Sequence, residues 1–201
     1  MNWNIGKGAC LALLPVAGTL KAQEKPNIVV ILADDLASNE ISCYGGKNLK
    51  TPNIDRIAEE GIRFTNNFAS CAMSVPIRAS LYTGLYPARH GSYQNHKISY
   101  SDIKSVTYYL PQAGYRVGRA GKTHTVPKSV FNFEKVPGFE ENCIAVTADY
   151  TVDGIRDFMR QDSPFCLFVC STLSHAPWTC GNKDEFDADK VILPPKCVDN
   201  K

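Results

Sequence analysis

Residues 27–33, NIVVILA, form an unbroken apolar run rich in β-branched side chains, closed by Asp34 and Asp35. The run reads as a strand covered on both faces, as in a parallel sheet. A second such run, PFCLFVCSTL over 164–173, lies far down the chain and is followed by SHAPW. Parallel neighbours need crossover connections, usually helical and right-handed. The chain between the two runs supplies the helical patterns. TPNIDRIAEEGIRF offers Thr51 as a cap, Pro52 in the first turn and Gly61 as a stop, with Ile54, Ile57 and Ala58 on one face. Residues 76–83 read as a helix opened by Pro76 and closed by Gly84. Residues 103–113 read as another, with Val106, Leu110 and Ala113 inward and Gly114 ending it. YRVGRAG, 115–121, is a short strand. Residues 149–161 give a helix with Val152, Ile155 and either Phe158 or Met159 inward. The alternation predicts an α/β fold, a mostly parallel or mixed sheet sandwiched by helices. Residues 179–201 are polar and proline-containing and read as a connector.

The ends and the cysteines bound the compartment. Lys7 precedes the apolar run ACLALLPVAG, and Ala22 is a small residue at a cleavage point, so residues 1–22 read as a signal peptide. The run is too short to span a bilayer. The expected location is the periplasm or exterior of a bacterium. Seven of the eight cysteines would remain after cleavage, an odd number that cannot all pair within one chain. No zinc-type Cys/His spacing occurs. Cys166 and Cys170 would share one strand face as small apolar fillers. A formal net charge of +2 without a basic run gives no support to a nucleic-acid partner.

Ligands of open α/β sheets collect beyond the carboxyl ends of the strands. Asp34 and Asp35 follow the first strand, Lys122 and His124 follow the 115–121 strand in GKTH, and His175 follows the last strand in SHAP. Ser74 and Arg78 sit on a segment that could enter the same rim. Each residue alone has an ordinary reading: a cap, an exposed cation, a hydrogen-bonded structural histidine. Together they suit a tetrahedral anion. Adjacent carboxylates repel unless a cation lies between them, and hard ions such as Ca²⁺ or Mg²⁺ take all-oxygen ligands. Arg78 and Lys122 would neutralise anionic oxygens, the histidines would move protons, and Ser74 would be the nucleophile. Pro76 would hold the backbone just beyond it. The residues therefore point to metal-assisted transfer of a phosphoryl or sulfuryl group.

SVPIRASLYTG resembles the signature of the sulfatase family, Cys or Ser-x-Pro-x-Arg followed by an apolar segment and Thr-Gly. KPNIVVILADD, TPNIDRIAEEGIRFTNNFAS, YPARHG, LPQAGYRVGRAGKTH and SHAPW resemble other landmarks of that family in the same order. The resemblance covers residues 25–195 and implies an alkaline-phosphatase-like fold. It implies that Asp34 and Asp35 bind Ca²⁺ and that Ser74 is converted to formylglycine, which also faces the metal. Arg78 would steady that residue, Lys122 and His175 would hold sulfate oxygens and assist the leaving group, and His124 would orient the modified residue. One hydroxyl of the hydrated aldehyde would attack sulfur. The other would then lose its proton as the carbon expels sulfate. The signature selects Ser74 over Cys71, because Met73 and Val75 stand where Cys71 would need Pro and Arg. Cys71 becomes a neighbour, expected to be buried. The Ser form resembles the subgroup matured by a radical-type enzyme.

Two departures accompany the resemblance. Ile77 replaces the small hydroxyl residue common before the arginine. The family also carries a second metal-ligand pair later in the chain, and DKVILPPKCVDNK, which ends this one, offers none. Asp184, Asp187 and Asp189 read as solvated. The expectation is a signal peptide over 1–22, the N-terminal part of a sulfatase catalytic domain over 25–195, and a truncated end over 196–201. The metal site would be incomplete and the sheet would lack central strands. GKTHTVPKSVFNFEKV faintly resembles the branch acting on N-sulfated sugars. The expected substrate is a sulfated glycan, carried as an ester or N-sulfate. The alternatives are a phosphatase or phosphodiesterase of the same superfamily using unmodified Ser74, or an inactive remnant.

Overall fold

The computed structural model describes residues 25–145, 150–185, 187–193 and 197. The signal peptide read over 1–22, the start of the helix read from 149 and most of 196–201 lie outside the described residues. Among the described residues four strands form one sheet: β1 (Ile28–Ala33), β2 (Arg116–Gly121), β3 (Glu134–Val136) and β4 (Phe165–Ser171), in the order β1-β4-β2-β3. Every pairing is parallel; Ile28 lies opposite Cys166, and Val117 shares that partner from the other side. The expected α/β sheet is thus present, with parallel pairing throughout its described strands. Parallel pairing sends the carboxyl ends of β1, β2 and β4 to one rim.

The central strand β4 carries the core. Cys166, Phe168 and Cys170 face a cluster containing Ala79, Tyr82, Val117, Phe131 and Phe133. Phe165, Leu167 and Val169 face the opposite cluster with Ala120, Val136 and Phe158. One face is covered by α2 (Ser74–Thr83), the other by α5 (Asp153–Met159). The expected pairing of Cys166 with Cys170 on one apolar face is correct. Tyr82, fully buried, meets Phe133 and Phe168 edge-on at 4.8 and 5.1 Å between ring centroids. Such contacts add about 0.5–1.5 kcal/mol each beyond burial. This packing fixes α2 against β4.

The structure departs from the sequence reading in several places. β1 is an edge strand with one open face: Ile31 is 65% exposed and Val29 46%. An apolar run reports what a strand could bury, and no described element lies over that face. The same holds for α1 (Pro52–Glu60), where Ile54 and Ile57 are exposed and no residue is buried. That helix is instead held by Asp55, whose carboxylate accepts from the Cys43 N–H at 2.9 Å and the Thr51 hydroxyl at 3.0 Å. α2 begins at Ser74, two residues before Pro76, because proline is tolerated within a first turn. α4 is shorter than read, Val106–Gln112, capped by the Ser105 hydroxyl, and Ala113 lies outside it and exposed. In α5, Phe158 is the inward residue and Met159 is exposed. The short β3 and the single turn α3 (Pro87–His90) carry too few residues to show a period. Cys71 is half-buried rather than buried.

Gly121 sets the end of β2. Its φ is +79°, and a Cβ there would lie 2.2 Å from the Cys170 carbonyl oxygen. The same carbonyl accepts the Lys122 N–H at 3.1 Å, so the glycine lets the chain turn over β4 and deliver Lys122 to the rim. Gly121→Ala is expected to destabilise the protein by more than about 1 kcal/mol, read as a lower urea midpoint, with parallel loss of the Lys122-dependent properties described below.

Candidate active site

At the rim, the Asp34 N–H donates to the Ser171 carbonyl at 3.0 Å, extending the β1–β4 ladder one step past the strand. The Ser174 hydroxyl donates to the Asp34 carbonyl at 2.7 Å. The Asp34 side chain is thereby aimed into the space above β4, where it is 7% exposed. Its Oδ1 receives Arg78 Nη2 at 3.1 Å, and its Oδ2 receives Lys122 Nζ. Arg78 also reaches the Lys122 carbonyl through Nη1 at 3.5 Å. Ser74 and Arg78 lie one helical turn apart on α2, so they share a face. Arg78 Nε donates to Ser74 Oγ at 3.2 Å, and Ser74 Oγ donates to Asp34 Oδ1 at 3.4 Å. An open cavity of about 200 Å³ lies beside this group, lined by Asp34, Asp35, Ser74 and Arg78 with apolar Leu32 and Ile77.

One buried carboxylate faces two buried cations, and the exposed Asp35 carboxylate stands on the same cavity. Burial pushes the Asp34 carboxyl up, but the hydrogen bond from Lys122 and the charge of Arg78 more than offset this and hold it below the ordinary carboxylate value. Arg78 stays charged: burial disfavours the cation, while Asp34 and the other groups around it raise its pKa overall.

The histidines occupy two sides. His175 Nδ1 donates to the Ala176 carbonyl at 2.6 Å, which leaves Nε2 facing Asp35 at 3.4 Å and Asp34 at 4.0 Å. A ring held by one nitrogen can exchange a proton at the other. His124, two residues beyond Lys122, is half-buried and its Nδ1 is buried without a hydrogen-bond partner. Burial, then the charges of Lys122, His96 and Arg78, lower its pKa, with Asp34 opposing. Among the described residues no hydrogen bond joins His124 to Ser74. Asp35 is 63% exposed and holds φ at +58°.

All the residues singled out in the sequence, Asp34, Asp35, Ser74, Arg78, Lys122, His124 and His175, stand around one rim. Cys71 does not line the cavity. The oxygens of Asp34, Asp35 and Ser74 fit a hard divalent cation in kind. Their number is short of the six to eight that calcium takes, and among the described residues no three His, Cys, Asp or Glu residues group to hold a metal.

Sequence reasoning missed Ser174, Asn95 and His96. Asn95 Oδ1 accepts the Val75 N–H at 3.0 Å and so caps α2 from another loop, in place of the unsuited Met73. A free amide and an imidazole in a glycine-flanked loop, GSYQNHK, were the available signal. The contact between Ser80 and His90 is structural. The Ser92 N–H donates to His90 Nδ1 at 3.1 Å, so Nε2 carries the proton and donates to Ser80 Oγ at 3.1 Å. A ring protonated there cannot take a proton from Ser80.

The family model described as "Sulfatase" matches residues 26–190. The chain is 38% identical over 161 residues to the ulvan-active sulfatase of Formosa agariphila, covering 77% of this chain and 31% of that protein. It is 34% identical over 185 residues to human N-sulphoglucosamine sulphohydrolase, covering 87% of this chain and 36% of that one. A solved complex of a protein with its substrate D-glucosamine-2-N,6-O-disulfate superposes with a TM-score of 0.65 at 31% identity, over 77% of this chain and 36% of that one. The chain spans about a third of the length of each. Among the described residues no helix is long and apolar enough to cross a membrane.

Asp34→Asn would strand two buried cations and is expected to cost about 3–5 kcal/mol, measured by urea unfolding. Asp35→Asn, at an exposed position, is expected to cost under about 1 kcal/mol. The Asp34 contribution has a pH signature. Its folded pKa is depressed, so its stabilisation is complete above the unfolded value of about 3.9 and is lost as pH falls through the folded value. Unfolding curves from pH 6 downward should converge for wild type and Asp34→Asn.

Proposed function

The chain belongs to the sulfatase family, and from that premise we propose that it hydrolyses sulfate groups on a sulfated glycan, carried as esters or N-sulfates. The observation that carries the reading is the hydrogen-bonded group of Ser74, Arg78, Asp34 and Lys122 at the first turn of α2. A small hydroxyl residue there is held by a guanidinium, and a second buried cation, Lys122, stands on the other oxygen of the same carboxylate. The names of the relatives, which act on ulvan and on sulfated glucosamine, support a glycan as substrate.

We assign Ser74 as the precursor of formylglycine, converted by a radical-type maturation enzyme. The aldehyde hydrate supplies a geminal diol, a nucleophile that can be regenerated by water after sulfate leaves. Asp34, Asp35 and the modified Ser74 would hold Ca²⁺, which when bound draws electron density from a sulfate oxygen. Arg78, donating through Nε, fixes the position of the reacting oxygen on residue 74. Lys122, buried against Asp34, would be the counter-charge for sulfate oxygens. His175 Nε2 is the site from which a proton passes to the departing sugar oxygen or nitrogen. His124 stays neutral near pH 7 and offers a hydrogen-bond group at the wall of the site. The leader read over 1–22 fits action in the periplasm or outside the cell.

The test is sulfate release by the full natural gene product, co-produced with a radical-type maturation enzyme. Wild type is expected to release sulfate from sulfated glycan fragments. Lys122→Ala and His175→Ala are each expected to lower kcat by about 10²–10⁴. Release of phosphate from phosphorylated counterparts of the same fragments, with no sulfate release from the sulfated ones, would move the protein to the phosphatase alternative.

A further inference from the structure

Among the described residues, four non-glycine residues hold φ in the left-handed region: Asp35 at +58°, His96 at +65°, His124 at +46° and Trp178 at +57°. Three of them lie on the loops that leave β1, β2 and β4 at the site rim. His96 does not; it lies between α3 and α4. A left-handed backbone is costly for an ordinary residue, and such strain collects where side chains must be aimed. Glycine or asparagine would hold this backbone at less cost, so the geometry alone does not call for a histidine.

The flanking residues are clamped. Asn95 Oδ1 accepts the Val75 N–H, one residue beyond Ser74. The Ser92 hydroxyl donates to the Lys97 carbonyl at 2.8 Å, and the Ser99 N–H donates to the Val126 carbonyl at 3.0 Å, two residues beyond His124. The loop is therefore tied to the start of α2 on one side and to the segment after β2 on the other. Between the ties, the exposed His96 ring meets the His124 ring edge-on at 5.7 Å between centroids and 62° between planes. No carboxylate pairs with either ring among the described residues, and His124 Nδ1 has no partner.

We propose that His96 is a specificity-determining residue: with His124 it forms a polar wall that hydrogen-bonds the sugar ring carrying the sulfate. This rests on the reading of the protein as a glycan sulfatase. An imidazole suits the task because it offers one donor and one acceptor to vicinal sugar hydroxyls. His96 has no hydrogen bond to Ser74, Asp34, Arg78 or Lys122, so it acts on recognition and not on sulfuryl transfer.

The experiment compares wild type with His96→Asn and His96→Gly, both of which admit the left-handed backbone. It uses the full natural gene product and two substrate types. One is para-nitrophenyl sulfate, which has no sugar. The other is whichever of D-glucosamine-2-N,6-O-disulfate and ulvan oligosaccharides the wild type turns over. KM for the sugar is expected to rise about tenfold in both variants, the loss of one polar contact. Calorimetric Kd for the same sugar on a Ser74→Ala background should rise equally. The kcat and KM for para-nitrophenyl sulfate should stay at wild-type values. Unchanged KM and Kd for the sugar overturn the proposal. An equal loss on both substrates also overturns it, because it makes His96 part of the common scaffold. A wild type that cleaves none of these sulfates overturns the parent reading instead.

Discussion

A single buried carboxylate, Asp34, organises the site. Placed at the end of β1, it holds β4 through its backbone N–H, α2 through Arg78 and the end of β2 through Lys122. A lone charge at that depth would be driven to neutralise itself. Two cations prevent this and are in turn kept buried by it. The three elements are therefore mutually dependent, and Ser74 rides on the arrangement because Arg78 reaches it one turn earlier in the helix.

The parallel sheet explains why these residues meet. β1 and β4 are far apart in sequence but adjacent in space, and parallel pairing places their carboxyl ends together. The packing of Tyr82 against Phe133 and Phe168 then holds α2 over β4, so the first turn of that helix stops at the rim. Gly121 allows β2 to end tightly enough for Lys122 to enter.

Much of this was readable in the chain. Strongly apolar strands, glycine stops and polar residues at strand ends follow local rules, and they led to Asp34, Ser74, Arg78, Lys122 and His175 in one place. What was not readable depends on tertiary context. The run NIVVILA could not announce that Val29 and Ile31 would stand open at a sheet edge. The apolar face of α1 was equally silent about whether anything covers it. Pro76 suggested the helix start, but the Val75 N–H is satisfied by Asn95 from a distant loop, which moved the start to Ser74. His96 carried only the weak signal of an imidazole in a loop, because its backbone angle and its neighbour His124 are reached only after folding.

The central claim is that Ser74, held by Arg78 and Asp34, is the reacting residue and acts as formylglycine. The most direct measurement is the mass of the tryptic peptide spanning residues 64–78, taken from protein isolated from its natural host. The account predicts loss of two hydrogens at Ser74, abolished by Ser74→Ala and by removal of the maturation enzyme. Active protein carrying an intact or phosphorylated serine at that position would contradict it.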